Sequence, residues 1–338
     1  MRAGRWATMA GVCALTSLAN VADASAQTVR FALDWALQGH NSLWFLAEDL
    51  GCFEREGVSI QIDRGFGSGD TVSKVAGGAY EMGFADINPL IEFKAQNPGS
   101  GAIAVLMLND NSATSIITLR QNGIETPKDL EGRTLAGPLG DASRRLFPIF
   151  AAANDIDEAS IEWLNVSPEL REPMLAQGEA DAVTGHTFVG AIGLEALGVA
   201  PEDVVLLRYP EWGADLYGSA VLAKPEFAEA NPDIVASVVK CTIEATQAAI
   251  TDPAASIAAL ERRDGLIDAA VELRRLELAL DGIIVTDVTR EMGLGHVDTE
   301  RLERTVEQAA AAFGVTAPPI DELYTNDFLP PLDERRLD

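Results

Sequence analysis

The chain has 338 residues, 47% of them apolar, and its 52 acidic residues outnumber the 25 basic ones. That length leaves room for about two compact domains of ~150 residues, each with a sizeable core. A strongly acidic surface repels phosphate backbones and anionic lipids, so we expect no nucleic-acid partner.

The first residues carry the pattern of an export signal. Arg2 and Arg5 precede an apolar run over residues 6–18, and residues 24–26 form an A-x-A cleavage pattern. The run is shorter than the ~20 residues that span a bilayer. We therefore predict a signal peptide over residues 1–26 and a mature, periplasmic protein. An uncleaved membrane anchor is the alternative.

Residues 29–86 predict half of a ligand cleft. Apolar runs at residues 29–33, 58–62 and 82–85 are typical of short buried strands, and two helical patterns separate them. A polar or glycine-rich cluster follows each run. In such β-α-β-α-β units, ligands collect outside the carboxyl ends of the parallel strands.

The same alternation of strands and helices repeats further along the chain and predicts a second doubly wound α/β lobe. Polar crossings join the two lobes, and the pattern becomes almost wholly helical after residue 225. We predict lobe 1 over residues 27–111, lobe 2 over 112–212, a return to lobe 1 over 213–316, and a C-terminal tail over 317–338. Two lobes joined by two crossings can hinge and close on a ligand.

Four motifs together resemble one known family. They are DW…HN within residues 34–41, G-x-F-x-x-E-G-V at 51–58, a Gly/Ser loop at 65–69, and KVAGGAYEMGFAD at 74–86. In this combination the chain resembles the NMT1/THI5-like (SsuA/THI5) family, and the segment YTNDFLP at 324–330 also resembles the family's C-terminal end. The resemblance implies a type II periplasmic-binding-protein fold.

The resemblance also implies a function. Members of the family are solute-binding proteins of ABC importers for pyrimidine thiamine precursors, riboflavin, alkanesulfonates, taurine or nitrate. The yeast-type enzymes of the family use a CCCFC motif, which this chain lacks. The expectation is therefore a monomeric binding protein, without enzymatic activity or a cofactor, that delivers its ligand to a transmembrane permease. A hydrolase or desulfinase that shares the fold is the alternative.

The predicted strand ends supply the candidate ligand-binding residues. They are Asp34, Trp35, Gln38, His40, Asn41, Gly67, Ser68, Asp70, Asp86, Asn88, Gly137, Pro138, Asp141, Gly185, His186, Thr187, Trp212 and Tyr217. Carboxylates and aromatic faces suit a nitrogenous heterocycle such as a pyrimidine, whereas a sulfonate or nitrate favours an arginine and helix N-termini. We favour the heterocycle and keep the anion as the alternative. Helix capping or packing is the competing role for Asp34, Trp35, His40, Asp70 and Asp141.

Two cysteines remain after the predicted cleavage, Cys52 and Cys241. An exported pair could form a disulfide, but we expect buried free thiols at a helix end and within a long helix. The three histidines are far apart in sequence and show no zinc-type pairing, so we expect no metal site.

Overall fold

The computed structural model describes Met1 and residues 28–337, so the predicted signal peptide lies outside the described residues. Ten strands in this region form two five-stranded sheets. The strands are β1 (Thr28–Ala32), β2 (Ser59–Asp63), β3 (Met82–Asp86), β4 (Ile103–Met107), β5 (Thr114–Leu119), β6 (Thr134–Gly137), β7 (Glu162–Asn165), β8 (Ala182–His186), β9 (Val204–Arg208) and β10 (Ser219–Ala223).

The two sheets have the same plan. The first has the order β2-β1-β3-β10-β4 and the second β7-β6-β8-β5-β9. In each, four strands run in the same direction, and one antiparallel strand enters from the other lobe: β10 between β3 and β4, and β5 between β8 and β9. This topology confirms the predicted fold of two doubly wound lobes joined by two crossings.

Helices cover both sheets and extend the first lobe. They are α1 (Leu43–Asp49), α2 (Cys52–Arg55), α3 (Ser68–Ala76), α4 (Asn88–Gln96), α5 (Ala142–Arg145), α6 (Phe147–Ala153), α7 (Arg171–Ala176), α8 (Thr187–Ala196), α9 (Pro225–Ala230), α10 (Pro232–Thr251), α11 (Pro253–Arg263), α12 (Ala269–Leu280), α13 (Asp287–Met292), α14 (Thr299–Phe313) and α15 (Ile320–Leu323). By length and composition α10 could cross a membrane, but half of its apolar window is buried inside the protein. Because it packs against α1 and α11, we interpret it as a core helix of lobe 1.

The expectation of free thiols is wrong. Cys52 in α2 and Cys241 in α10 form a disulfide, with their Cα atoms 5.6 Å apart. Both cysteines are fully buried, as expected, but α2 packs directly against α10 and brings the two sulfur atoms together. Sequence could not show this contact because 189 residues separate the two cysteines.

The two crossings between the lobes lie side by side. The backbone N–H of Gly218 donates to the carbonyl of Asn109 at 3.2 Å, and that of Ser112 donates to the carbonyl of Leu216 at 3.2 Å. Arg301 of α14 holds both crossings from outside, through Asp110 on the first and Asp215 on the second, each at 3.1 Å. The two crossings that form the hinge are thus hydrogen-bonded to each other and attached to a helix of lobe 1.

Candidate functional site

A small cavity lies between the lobes, at the carboxyl ends of the parallel strands. Ten residues line it: Asp34, Trp35, His40, Gly67 and Ser68 from lobe 1, and Asp141, Ala142, Arg171, His186 and Val189 from lobe 2. Its volume is about 20 Å³, little more than the space that one water molecule needs. The lobes are therefore closed on each other in this structure.

Direct contacts across the cleft produce this closure. The backbone N–H of Gly69 in lobe 1 donates to the carbonyl of Gly140 in lobe 2 at 3.0 Å. Gly67 has a φ of +123°, and a Cβ at this position would lie 2.2 Å from the same carbonyl oxygen. Only glycine therefore allows the two lobes to approach this closely.

The lobe 1 wall contains two buried carboxyl groups that only neutral groups stabilise. Asp34 accepts a hydrogen bond from the Asn41 side chain at 3.1 Å, and Asp86 accepts two from Asn88 at 2.7 and 2.9 Å. Burial raises the pKa of Asp34 to about 7 and that of Asp86 to about 6. Within residues 28–337, Oδ2 of Asp86 has no hydrogen-bond partner.

The lobe 2 wall contains a buried ion-pair network. Arg171, at the start of α7, is 1% exposed and donates to Asp141 at 3.2 Å and to Glu172 at 2.5 Å. Its guanidinium also lies 4.7 Å from the centre of the Trp35 ring across the cleft. Gly185 makes room for it, because a Cβ there would lie 2.9 Å from the guanidinium carbon.

Two imidazoles approach the cavity from opposite lobes. His40 and His186 both pack against Phe188, with ring centres 5.2 and 5.6 Å from its ring. Burial lowers the pKa of His186 to about 4 and that of His40 well below its ordinary value. Both rings are therefore neutral at pH 7, and neither nitrogen of His40 has a hydrogen-bond partner in the part of the chain that the structure describes.

The structure brings seven of the predicted residues to the cavity. They are Asp34, Trp35, His40, Gly67, Ser68, Asp141 and His186. Others lie just behind them and shape the walls. Asn41, Asp86 and Asn88 support lobe 1, Gly185 accommodates Arg171, and the carbonyl of Pro138 closes the turn before Asp141. Gly137 lies next to this turn, where its carbonyl accepts a hydrogen bond from Arg144.

The remaining five predicted residues lie elsewhere. Gln38 lines a neighbouring groove, Thr187 lines a groove on the hinge side, and Asp70 pairs with Lys74 at 2.6 Å. Trp212 packs at the edge of the core formed around Phe147 and Phe150. Tyr217 is buried, and its hydroxyl accepts a hydrogen bond from the backbone N–H of Asp298. The second crossing therefore runs behind the cavity, which corrects the expectation that it lines the cleft.

Sequence reasoning missed Arg171, the one arginine among the described residues that line the cavity. Strand β7 is parallel to β6, so its carboxyl end reaches the same edge of the sheet, and residues 166–171 follow it. The strand-end rule would have found Arg171 if it had been applied to this third strand of lobe 2. Two other arginines near the strand ends have partners away from the cavity: Arg64 pairs with Glu169 and Arg145 with Glu92.

Comparison with known proteins decides the family. A family model described as NMT1/THI5 like matches residues 40–256, more than half of the chain. The chain belongs to this family. The resemblance inferred from the four motifs is thereby confirmed.

The proteins that this chain resembles have names that describe different functions. A 4-amino-5-hydroxymethyl-2-methylpyrimidine phosphate synthase of Schizosaccharomyces pombe is 23% identical over 68% of this chain and 67% of that protein. A formylaminopyrimidine-binding protein of Halalkalibacterium halodurans is 21% identical over 68% and 69%. The periplasmic aliphatic sulphonate binding protein SsuA of Escherichia coli matches in structure with a TM-score of 0.66 and 18% identity, over 88% of this chain and 92% of that one. This structural likeness shows the fold.

Proposed function

We propose that this protein is the exported solute-binding protein of an ABC importer, and that its ligand is a small nitrogenous aromatic molecule of the pyrimidine type. The ligand binds in the interlobe cavity, the lobes close on it, and the closed form delivers it to a membrane permease. Asp34, Trp35, His40, Ser68, Asp141, Arg171 and His186 form the site in this proposal.

One observation carries the choice of ligand. The lobe 1 wall offers the carboxyl group of Asp34 at the cavity and holds that of Asp86 behind it, and the hydrogen-bond partners of both are amides and backbone N–H groups. The arginine of the cavity, Arg171, is already paired with Asp141 and Glu172. A sulfonate or nitrate in the cavity would meet the buried carboxyl group of Asp34 and a cation that is already paired, whereas a heterocycle with N–H donors would satisfy Asp34.

The aromatic side chains of the site support the same class of ligand. Trp35 lies between the lobes, and the neutral rings of His40 and His186 can each donate and accept a hydrogen bond. A flat ring could stack on Trp35 while its ring nitrogens and amino group pair with Asp34 and the imidazoles. Because the closed cavity is small, such a ligand must enter when the hinge is open.

Two features support a binding protein over an enzyme. The chain lacks the CCCFC motif, although two of its relatives are named as pyrimidine phosphate synthases. Cys52 and Cys241, both in lobe 1, are joined in a buried disulfide and lie away from the cavity lining. A relative named for binding formylaminopyrimidine supports both the transport role and the ligand class.

Thermal-shift and calorimetric titrations with an aminopyrimidine, riboflavin, an alkanesulfonate, taurine and nitrate test this proposal. We expect the aminopyrimidine to stabilise the protein, by about 2.7 kcal/mol at one hundred times its dissociation constant. Mass spectrometry of the recovered ligand should show it unchanged. Stabilisation by sulfonates or nitrate alone would refute the ligand class, and a chemically altered pyrimidine would refute the binding role.

A further inference from the structure

The buried charges around the interlobe cavity do not balance. Four carboxyl groups, each at most 9% exposed, lie in or directly behind its walls: those of Asp34, Asp86, Asp141 and Glu172. Among the described residues that line the cavity, Arg171 alone carries a positive charge. One guanidinium cannot compensate four carboxylates, so the walls keep a net negative charge when all four are ionised. In a site of low dielectric constant, such an excess strongly favours a cationic partner.

The other titratable groups packed around the cavity do not supply the missing positive charge. Burial lowers the pKa of His186 to about 4 and that of His40 well below its ordinary value, so both rings are neutral at pH 7. The remaining cations of the elements packed here each have a carboxylate partner: Arg275 with Glu272, Arg64 with Glu169, Arg145 with Glu92 and Lys74 with Asp70.

Asp34 is the carboxyl group placed to meet a cationic ligand. It lines the cavity, and Asn41 donates to its Oδ1 at 3.1 Å, whereas its Oδ2 accepts no hydrogen bond from another residue in the part of the chain that the structure describes. Asp141 also lines the cavity but is already held by Arg171 at 3.2 Å, and Asp86 lies outside the lining. A carboxylate is best matched by a planar cation that presents two parallel N–H donors.

We propose that the site binds its ligand in the protonated form, as a flat amidinium-like cation whose ring N–H and adjacent amino group both donate to the carboxylate of Asp34. The ring nitrogen takes its proton from the solvent, and Asp34 selects the cation over a neutral ring of the same shape. This inference rests on the proposed function, since it assigns a charge to the ligand of the same cavity.

The cost of burying Asp34 supports this assignment. Burial raises the pKa of Asp34 to about 7, so an ionised carboxylate without a cationic partner is disfavoured at this position. A bound cation would remove that penalty, and the complex would then hold one proton that the separated protein and ring do not hold above pH 8.

Calorimetry with three rings of one shape tests the inference. The ring nitrogen beside the amino group is basic in 2-aminopyridine and much less basic in 2-aminopyrimidine, and aniline has none. At pH 8, we expect 2-aminopyridine to bind at least about tenfold more tightly than 2-aminopyrimidine, and aniline to bind most weakly. Titrations of 2-aminopyridine in two buffers of different ionisation enthalpy should show uptake of about one proton, and its affinity should fall about tenfold between pH 8 and pH 9.

A variant and a spectroscopic signature assign the proton. In Asp34→Asn, the proton uptake and the fall in affinity above pH 8 should both disappear, and the two aminated nitrogen rings should bind with similar affinity. Asp70→Asn is the matched control, because Asp70 pairs with Lys74 outside the cavity lining, and it should keep the wild-type proton uptake. In the wild type at pH 8, the ring ¹⁵N resonance of bound 2-aminopyridine should lie at the position of the protonated ring.

The outcomes separate the two proposals. Rings that bind without proton uptake, or a bound ring whose ¹⁵N resonance is that of the neutral form, overturn the inference and leave the proposed function standing. Proton uptake that persists in Asp34→Asn also overturns it, because another group then holds the proton. Failure of every aminopyrimidine and of 2-aminopyridine to bind overturns the proposed function, and the inference with it.

Discussion

The two walls of the cavity hold their buried charges in opposite ways. On the lobe 2 wall, Asp141 and Glu172 share the guanidinium of Arg171, so the charges neutralise one another before any ligand arrives. On the lobe 1 wall, Asp34 and Asp86 face only amides and backbone groups, and burial raises the pKa of each. The charged groups of the lobe 2 wall therefore already have partners, whereas the carboxyl groups of the lobe 1 wall still need a hydrogen-bond donor.

The lobes also differ in how their frameworks are fixed. The disulfide between α2 and α10 reinforces lobe 1, whose wall holds the unneutralised carboxyl groups. Lobe 2 depends on its core and on the buried ion pairs. A covalently reinforced lobe can tolerate the energetic cost of buried carboxyl groups that await a ligand, so lobe 1 combines the added stability with the groups that need it.

The largest expected effect comes from breaking the lobe 2 network. Arg171→Met leaves two buried carboxylates without a cation and should lower the free energy of unfolding by about 3–5 kcal/mol in urea titrations. Arg64→Met is the matched control, since the Arg64–Glu169 pair is exposed and should contribute less than about 1 kcal/mol. Equal losses of unfolding free energy for the two variants would mean that the charges of the lobe 2 wall do not form a self-contained buried network.

Removing the disulfide tests the reinforcement of lobe 1. The double variant Cys52→Ala, Cys241→Ala should lose about 2–5 kcal/mol of unfolding free energy, because a long loop of the unfolded chain is no longer closed. Reductant should destabilise the wild type by a similar amount and leave the double variant unaffected. A wild type that does not respond to reductant would contradict a structural disulfide.

The next effect is a pH dependence that arises from Asp34. Between its ordinary pKa of 3.8 and about 7, the folded protein keeps a proton that the unfolded chain has released, so stability falls as pH rises through this window. Asp34→Asn removes that fall. The unfolding free energy of the variant minus that of the wild type should therefore be about 2–3 kcal/mol higher near pH 8 than near pH 5. Unfolding titrations at both pH values measure it.

His186 provides an internal check on this result. Its pKa is lowered from 6.5 to about 4, so the unfolded chain binds a proton that the folded protein does not, and stability rises with pH between these values. This contribution is common to the wild type and Asp34→Asn and cancels in their difference. If the difference in unfolding free energy between the wild type and Asp34→Asn did not change with pH, the buried carboxyl groups of the lobe 1 wall would cost no more stability than the ion pairs of the lobe 2 wall.

The smallest effect on stability belongs to the position where the walls meet. Because alanine disfavours a positive φ, Gly67→Ala should lower the free energy of unfolding by about 1 kcal/mol. Because its Cβ blocks closure of the lobes, the variant should also bind the aminopyrimidine at least about tenfold more weakly. Gly57→Ala has a similar backbone penalty at φ +71°, but no atom lies within 4 Å of its Cβ, so ligand affinity should be unchanged.

Local patterns predicted most of the fold and named seven of the ten residues that line the cavity. Apolar runs and glycine-rich turns placed β1, β2 and β3 within one residue, and the rule of strand ends brought Asp34, Ser68, Asp141 and His186 together. The same reasoning misplaced Tyr217, because the sequence pattern of a crossing is the same whether the crossing runs in front of the cleft or behind it. The disulfide likewise depends on how helices pack, which periodicity does not encode.

The position of β10 has a consequence for the order in which the molecule is built. Residues 219–223 must enter the first sheet between β3 and β4, whereas the second sheet consists entirely of residues 114–208. A chain that is synthesised from its N-terminus can therefore complete lobe 2 while the first sheet still has a gap between β3 and β4. Cys241 follows β10, so the disulfide can form only after β10 has been synthesised. The lobe that begins first is finished last.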